Sequence, residues 1–437
     1  MSNVKPELPG GFKDYLPSDQ KKREYLLNKI EQAFQKFGFS PMENPGVELL
    51  DTLTGGDPNF EKEVFEVGQV SSDKENRMGL RFDLTVPLVR SIAMNINDVN
   101  LPLKVYRIGK VWRGEKSQAG RYREFLQCDV DIIGSSRIEA DAEMLAVIYD
   151  VFINIGIQNF KIKINSRGLL SNFFKTLKID DKDIKDVLII IDKLDKLSWE
   201  KVSEALIDKG LDKSQLKSIK EFVESDIEKL KENYSDNDSL MDSIKELEEI
   251  INIAEVLGVE RSQVEVDFSI VRGLDYYTGP IFETVLTDNP ELGSVFSGGR
   301  YDNLIEKFTS SKIPATGVSL GFDRLYEGIK DLDLFDGEKS VPSVLILNFE
   351  ESCQKEYLQA LRELRREGIS SSIYTGQEDN LKGQLSYAVK ESIPIVLIMG
   401  KKEKEEGIFQ IKDMKNRMQD SVAIKFLVEK VKESLIK

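Results

Sequence analysis

The sequence predicts an α+β protein that contains an antiparallel sheet, a helical insertion and a C-terminal α/β domain. Three observations support this fold class. Residues 104–134 have the pattern of a long antiparallel hairpin, residues 168 to about 260 have long helical patterns, and residues 342–437 alternate strand and helix patterns. A chain of 437 residues also exceeds the usual size of a single hydrophobic core, so two or three domains are expected.

Composition narrows the chemistry that the protein can perform. The chain is 40% hydrophobic and 31% charged, which is typical of a folded soluble protein. It contains no histidine, which excludes histidine as a general base, as the partner of a nucleophile and as a metal ligand. Catalysis is therefore expected from arginines, carboxylates, amides and a metal ion, acting through position and charge.

Cysteine usage and the N-terminus predict the compartment. The two cysteines, Cys128 and Cys353, have neither a metal-ligand spacing nor a disulfide framework, which indicates a reducing environment. The N-terminus has no apolar signal segment, and no apolar run in the chain is long enough to span a bilayer. We therefore expect a cytoplasmic protein without a membrane partner.

The hairpin concentrates positive charge. Residues 105–112 read as a buried strand, residues 114–120 as a solvated loop and residues 125–133 as the return strand. Residues 104–123 contain seven Lys/Arg and one acid in a protein of formal net charge −15, which predicts an anionic ligand at the loop. A basic edge strand that resists aggregation is the alternative. It leaves unexplained three polar residues with a buried pattern on the return strand: Gln127, Asp129 and Asp131.

The hairpin also carries a family resemblance. WRGE at residues 112–115 and GRYREFLQCDVDIIG at residues 120–134 resemble motif 2 of the class II aminoacyl-tRNA synthetases. The second of these resembles the histidyl-tRNA synthetases within that class. The resemblance implies that Arg113 holds the α-phosphate of ATP and that Glu115 holds the adenine amino group. It further implies that Gln127 orients the amino acid and that Asp131 reads the imidazole.

Residues 9–45 resemble motif 1 of the same class. They contain PGGFKDYLP, a helix predicted from about residue 18 to residue 37, and a strand ending at Pro45. The apolar residues of the helix, among them Ile30 and Phe34, have the spacing of an ordinary core face. In class II synthetases this region forms the dimer interface, so the resemblance implies a homodimer.

The next segment, LRFDLTVPLVR at residues 80–90, resembles the amino-acid-binding segment of the family. Asp83 and Thr85 occupy the positions that hold the substrate α-amino group, and an acid is the group that a cationic amine needs. Without the resemblance, Asp83 reads as a strand residue between Phe82 and Leu84.

A helix from about residue 139 to residue 157 and the strand NFKIKINS precede the helical insertion. Residues 168–260 contain 14 basic and 23 acidic residues. The segment resembles the insertion that reaches toward the tRNA acceptor stem in the family, but its net charge of −9 disfavours direct phosphate contact except through a local basic face.

Two further motifs follow the insertion. RGLDYYTG at residues 272–279 matches the histidine-specific signature, and GSVFSGGRYDNLIEKF at residues 293–308 resembles the second histidine-specific motif. A guanidinium at Arg272 can bridge a carboxylate and an α-phosphate, and Tyr276 and Tyr277 can wall and hydrogen-bond an imidazole. An aromatic pair packed in the core is the alternative for the tyrosines.

ATGVSLGFDRL at residues 315–325 resembles motif 3, which implies that Arg324 holds the triphosphate of ATP. We expect residues 1–328 to form the catalytic domain and residues 329–341 to form a linker. Residues 342–437, with 16 basic and 15 acidic residues, are expected to form a mostly parallel α/β domain that resembles the anticodon-binding domain of this group.

The resemblance implies that ATP activates L-histidine to histidyl-adenylate and that the acyl group passes to tRNA-His. It implies ATP and Mg²⁺ as cofactors, whereas the ligands of the metal remain unassigned. Bacterial relatives commonly have Arg-Pro-Gln in the motif 2 loop, where it recognises the extra 5′ guanosine of tRNA-His. This chain has Lys116, Ser117 and Gln118 at that place. Gln118 is expected to read the tRNA acceptor end, with Lys116 and Arg121 attracting phosphate.

A non-catalytic paralogue, the histidine-binding regulatory subunit of ATP phosphoribosyltransferase, is the alternative function. Such a paralogue would tolerate loss of the ATP-binding arginines and of the C-terminal domain. This chain retains both the arginines and that domain. A class II synthetase of another specificity conflicts with the RGLDYYTG segment.

Overall fold

The computed structural model describes residues 5–55, 63–68, 77–115, 120–195, 197–271, 277–309, 311–335 and 341–436. These residues fall into two compact units. One consists mainly of residues up to 335 and the other mainly of residues 341–436.

The first unit contains a mixed set of strands and helices. Its strands are β1 (Ser40–Pro41), β2 (Val47–Leu49), β3 (Glu66–Val67), β4 (Met78–Leu80), β5 (Leu103–Trp112), β6 (Glu124–Ile133), β7 (Phe160–Ser166), β8 (Val264–Val266), β9 (Pro280–Leu286), β10 (Phe296–Arg300) and β11 (Ala315–Gly321). Its helices are α1 (Pro17–Lys36), α2 (Leu50–Thr54), α3 (Thr85–Met94), α4 (Ile138–Ile155), α5 (Arg167–Thr176), α6 (Asp181–Ile191), α7 (Trp199–Asp208), α8 (Lys213–Val223), α9 (Ile227–Asn233), α10 (Asp238–Val256) and α11 (Phe322–Ile329).

Eight strands form the main sheet in the order β1-β5-β6-β11-β10-β9-β7-β8. All pairs from β5 to β7 are antiparallel, and the two edge strands β1 and β8 pair in parallel with their neighbours. The predicted hairpin is confirmed as β5 and β6, which pair along their whole length from Leu103 opposite Ile133 to Trp112 opposite Glu124. A smaller three-stranded sheet has the order β2-β4-β3.

One face of the main sheet packs against helices. Cys128, Val130 and Ile132 of β6 belong to the same buried cluster as residues of α1 and α4. Because strand residues alternate between faces, Gln127, Asp129 and Asp131 point to the opposite face. The apolar spacing predicted for α1 is confirmed at Ile30 and Phe34, both of which are fully buried.

The predicted helical insertion is also confirmed, because the described residues between β7 and β8 form six α-helices, α5 to α10. They have their own buried cluster, which includes Phe173 stacked on Phe222. Asp212 caps α8 by accepting hydrogen bonds from the backbone N–H groups of Ser214 and Gln215, and the Gln215 side chain accepts from the backbone of Asp212.

The second unit contains five strands and four helices within its described residues. These are β12 (Val344–Ile346), α12 (Gln354–Arg366), β13 (Ser371–Ile373), α13 (Leu381–Lys390), β14 (Ile395–Ile398), α14 (Lys401–Glu406), β15 (Ile408–Asp413), β16 (Met418–Ala423) and α15 (Leu427–Ile436). The strand order is β13-β12-β14-β15-β16.

The prediction of a mostly parallel sheet in this unit was wrong. β12 pairs in parallel with β13 and β14, whereas β14–β15 and β15–β16 are antiparallel. A tight turn makes the β15–β16 pair antiparallel, and in it Asp413 accepts hydrogen bonds from the backbone N–H groups of Lys415 and Asn416. No helix within the described parts of either unit is long and apolar enough to cross a membrane.

Candidate active site

A cavity of about 900 Å³ lies over the polar face of the main sheet. Its walls come from the segment that follows β5, from β6, β10 and β11, from α2, from the N-terminus of α11 and from the segment between β4 and α3. The cavity residues that the sequence predicted are Asp83, Thr85, Arg113, Glu115, Arg121, Gln127, Asp131, Tyr277 and Arg324. The structure therefore brings together predicted site residues that are up to 241 positions apart in the chain, from Asp83 to Arg324.

The floor of the cavity is formed by two paired strands. On β6, Gln127, Asp129 and Asp131 are all buried and lie on one face. Their cross-strand partners on β11 are the small residues Gly321, Ser319 and Gly317, respectively. Gly317 is required here because a Cβ atom at this position would lie 2.0 Å from Asp131 Oδ1.

Asp131 is held by two buried donors. Arg107 of β5 donates a hydrogen bond to Asp131 Oδ2, and the Tyr301 hydroxyl donates to Oδ1. Arg107 is itself 3% exposed and also donates to the backbone carbonyl of Leu84. Burial raises the pKa of Asp131, while Arg107 and Tyr301 oppose that rise by stabilising the carboxylate.

Asp129 lies beside this pair and is connected to Gln127. The Ser319 hydroxyl donates to Asp129 Oδ1, and Gln127 Nε2 donates to Ser319 Oγ at 3.1 Å. Burial raises the pKa of Asp129 to about 7, although Arg107, 3.9 Å away, favours the ionised form. The floor of the cavity thus carries buried carboxylates whose negative charge is compensated in part by Arg107.

Asp83 faces the cavity from the turn before α3. Its Oδ1 accepts a hydrogen bond from the backbone N–H of Val86 at 3.1 Å, in the first turn of the helix that begins at Thr85. Interpreting Asp83 as a strand residue was therefore wrong, because this hydrogen bond satisfies a helix N-terminal donor. Enclosure by the protein raises the pKa of Asp83, and the Val86 hydrogen bond and Arg113 act against the rise.

Arg113 and Glu115 lie where β5 leaves the sheet. Arg113 Nε donates to the backbone carbonyl of Phe82 at 3.0 Å, and its guanidinium lies 5.2 Å from the centre of the Phe125 ring. Glu115 is exposed, and its carboxylate lies 3.9 Å from the guanidinium of Arg121. The hydrogen bonds that hold Arg113 leave part of its planar guanidinium facing the cavity.

Arg324 approaches the cavity from the first turn of α11 and donates to the backbone carbonyl of Ser294. The preceding residue, Asp323, is 3% exposed and fixes this corner. It accepts hydrogen bonds from the Tyr15 hydroxyl, the Arg23 guanidinium and the backbone N–H of Leu126. Motif 1, the hairpin and motif 3 are therefore joined at a single carboxylate.

Four predicted site residues lie outside the described residues: Arg272, Tyr276, Lys116 and Gln118. Tyr277 is the first described residue after the gap at residues 272–276, and it lines the cavity. Its ring packs closely on the backbone, since a Cβ atom at Gly299 would lie 3.0 Å from it.

Four residues of the site were not predicted as site residues from the sequence: Arg107, Asp129, Tyr301 and Ser319. Arg107 belongs to the basic run of the hairpin, and its position opposite Asp129 follows only from the strand register. Tyr301 and Ser319 lie in segments that the family resemblance covers, but their sequence context does not show which partner they contact.

A cluster of three or more acidic, cysteine or histidine side chains that could hold a metal ion does not occur among the residues that the structure describes. Protein ligands alone therefore do not form a cage for Mg²⁺ there.

One cavity is surrounded by the main sheet, by the β5–β6 hairpin that carries Arg113 and by the junction of β11 and α11. This arrangement agrees with the class II aminoacyl-tRNA synthetase architecture that the sequence resembles. Comparison with known families is more specific. A family model described as histidyl-tRNA synthetase matches residues 11–325, and one described as anticodon binding domain matches residues 343–434. The chain belongs to the histidyl-tRNA synthetase family.

Individual relatives support the same assignment over the whole chain. A histidine–tRNA ligase from Finegoldia magna is 36% identical over 98% of this chain and 100% of its own length. One from Clostridium tetani is 34% identical over 99% of both chains. The crystal structure of histidyl-tRNA synthetase from Nostoc sp. PCC 7120 has a TM-score of 0.86 and 32% identity, covering 99% of this chain and 100% of that one.

Proposed function

We propose that this protein ligates L-histidine to tRNA-His in two steps that use ATP. The observation that carries the proposal is one cavity lined by carboxylates and guanidinium groups together. Asp83, Asp129 and Asp131 interact electrostatically with one another and form its acidic region, and Arg113 and Arg324 also line it. A site of this kind suits a ligand with an ammonium group at one end and phosphates at the other.

In the first step a histidine carboxylate oxygen forms a bond to the α-phosphorus of ATP. The bond between that phosphorus and the oxygen bridging to the β-phosphate breaks, and pyrophosphate leaves. Arg113 would hold the α-phosphate, Arg324 the distal phosphates and Glu115 the adenine amino group. No general base is needed, because the carboxylate is already ionised near neutral pH.

Amino-acid recognition would use the acidic region. Asp83, Thr85 and Gln127 would bind the α-ammonium group, while Asp131, Tyr276 and Tyr277 would read the imidazole. Because Asp131 is held by Arg107 and Tyr301, its carboxylate is fixed before the ligand arrives. Arg272 would stabilise the charge that develops at the reacting centre.

In the second step the terminal ribose hydroxyl of tRNA-His attacks the acyl carbon and displaces AMP. Gln118 would read the acceptor end, with Lys116 and Arg121 attracting its phosphates. The domains proposed for this work are residues 1–328 for catalysis and residues 342–437 for anticodon binding, joined by a linker at residues 329–341.

Three further features follow from the family. We propose ATP and Mg²⁺ as the cofactors, with the metal carried mainly by the phosphates. We also propose a homodimer in the cytoplasm, formed through the motif 1 region. Size-exclusion chromatography with light scattering tests the dimer, because a mass near 50 kDa would contradict it, given a chain of 49.7 kDa.

Pyrophosphate exchange with each of the twenty amino acids tests the proposed activity. Exchange should depend on histidine and on ATP with Mg²⁺. A regulatory paralogue would bind histidine without exchange, and a synthetase of another specificity would respond to a different amino acid. A solved structure titled ATP phosphoribosyltransferase regulatory subunit/histidyl-tRNA synthetase, from Bacillus halodurans C, is 22% identical with a TM-score of 0.73, so it shows the shared fold alone.

A further inference from the structure

Three side chains form a hydrogen-bonded row across β6 and β11. Asp129 and Ser319 are direct cross-strand neighbours, and Gln127 lies two residues along β6 on the same face. Ser319 Oγ donates to Asp129 Oδ1 at 2.5 Å, and Gln127 Nε2 donates to Ser319 Oγ at 3.1 Å. Gln127 Oε1 is then left buried in the cavity wall without a hydrogen-bond partner among the described residues.

The row determines which end of the Gln127 amide is free. A serine hydroxyl has one hydrogen, and here the Asp129 carboxylate takes it, so Ser319 Oγ can only accept from its other neighbour. If Gln127 turned its carbonyl oxygen toward Ser319, two acceptors would face each other. The amide therefore presents its NH₂ group to Ser319 and keeps its carbonyl oxygen available.

A buried acceptor without a partner is unfavourable, so a ligand is expected to supply the missing donor. The charges nearby indicate what kind of donor fits. Gln127 is 7% exposed and shares the cavity wall with the carboxylates of Asp83, Asp129 and Asp131, which favour a cation. Under the proposed function, on which this inference rests, that cation is the α-ammonium group of histidine.

We propose that Asp129 is a positioning residue for amino-acid binding. Through the Ser319 hydroxyl it fixes the Gln127 amide so that the carbonyl oxygen accepts a hydrogen bond from the α-ammonium group. Ser319 is the link, and neither Asp129 nor Ser319 needs to touch the substrate.

The Ser319→Ala variant tests the link directly. It removes the acceptor for Gln127 Nε2 and introduces no charged side chain into the cavity. We expect the KM for histidine in pyrophosphate exchange to rise about tenfold or more, the size expected for losing a hydrogen bond to a charged group. The KM for ATP should stay within about twofold of the wild-type value.

Rescue separates this role from a purely structural one. A glutamate at position 127 presents an acceptor oxygen in either orientation, so it does not need Ser319 to orient it. Adding Gln127→Glu to Ser319→Ala should therefore return the KM for histidine toward that of the wild type. Damage to the packing of β11 would not be repaired by this second change.

Asp129→Asn provides a second variant. An asparagine has one acceptor oxygen where the aspartate has two, and Arg107 and Ser319 then compete for it. The KM for histidine should again rise more than the KM for ATP.

Histidine-dependent exchange by the wild-type enzyme distinguishes failure of the proposed function from failure of the positioning role of Asp129. If the wild type shows no such exchange, the proposed function fails. If it does, and Ser319→Ala leaves the KM for histidine unchanged or the double variant shows no recovery, the positioning role of Asp129 is wrong.

Discussion

Replacing Asp129 with asparagine should stabilise the ligand-free protein, and increasingly so as the pH rises. Burial raises the pKa of this carboxyl from 3.8 to about 7. An acid whose pKa is higher in the folded state binds its proton more tightly there, so its favourable contribution is present at low pH. That contribution is lost between the unfolded pKa, near 4, and the folded pKa, near 7.

The magnitude follows from the shift in pKa. Raising the pKa from 3.8 to about 7 lowers the free energy of unfolding by about 4 kcal/mol between pH 4 and pH 8. Over the experimentally convenient range from pH 5.5 to pH 7, the expected change is about 2 kcal/mol. Asparagine has no proton to lose, so the Asp129→Asn variant should not show this pH dependence.

Thermal unfolding of both proteins at several pH values measures the effect. The Tm of Asp129→Asn minus the Tm of the wild type should become more positive from about pH 5.5 to pH 7 and then level off. Asp98→Asn, at an exposed aspartate of the same unit, is a matched control for the removal of one carboxyl group. If the Tm difference for Asp129→Asn were constant or fell as the pH rises, burial would not raise the pKa of Asp129 as inferred.

The other predictions concern the proposed reaction. Arg272→Ala should slow adenylate formation by about 10²-fold or more, the size typical of losing one transition-state donor, and an unchanged single-turnover rate would contradict this. Asp131→Asn, which keeps an acceptor for Arg107, should raise the KM for histidine about tenfold or more and leave the KM for ATP unchanged. If the two KM values rose equally, Asp131 would be a structural residue. Gln118→Ala should reduce the preference for tRNA-His that carries an extra 5′ guanosine, whereas Lys116→Ala should weaken charging with and without it about equally and lower the salt dependence. Wild-type enzyme without such a preference would exclude base reading by Gln118.

The polar face of the hairpin could be predicted from the sequence because it depends on local periodicity. Gln127, Asp129 and Asp131 alternate along one strand, so a single face must hold all three. The same local reasoning located the strands of the hairpin and predicted that the insertion is helical.

The partners of those residues could not be predicted, because they depend on register and on distant pairing. Arg107 meets Asp131 only because β5 pairs with β6 in a particular register, and Tyr301 reaches it from 170 positions away. The sheet of the second unit shows the same limit. β16 has a largely exposed, polar sequence, so this strand gave no apolar signal.

The acidic region of the cavity shows why a folded protein keeps groups that lower its stability. Asp83, Asp129 and Asp131 all have pKa values raised by burial, and Arg107 is the buried cation placed between two of them. Leaving these acids ionised is unfavourable in the empty site. An α-ammonium group supplies the missing positive charge when the substrate binds, so part of the cost is recovered in binding. The same residue, Asp129, should therefore weaken the empty protein and strengthen its affinity for histidine, which is the trade between stability and function expected at a binding site.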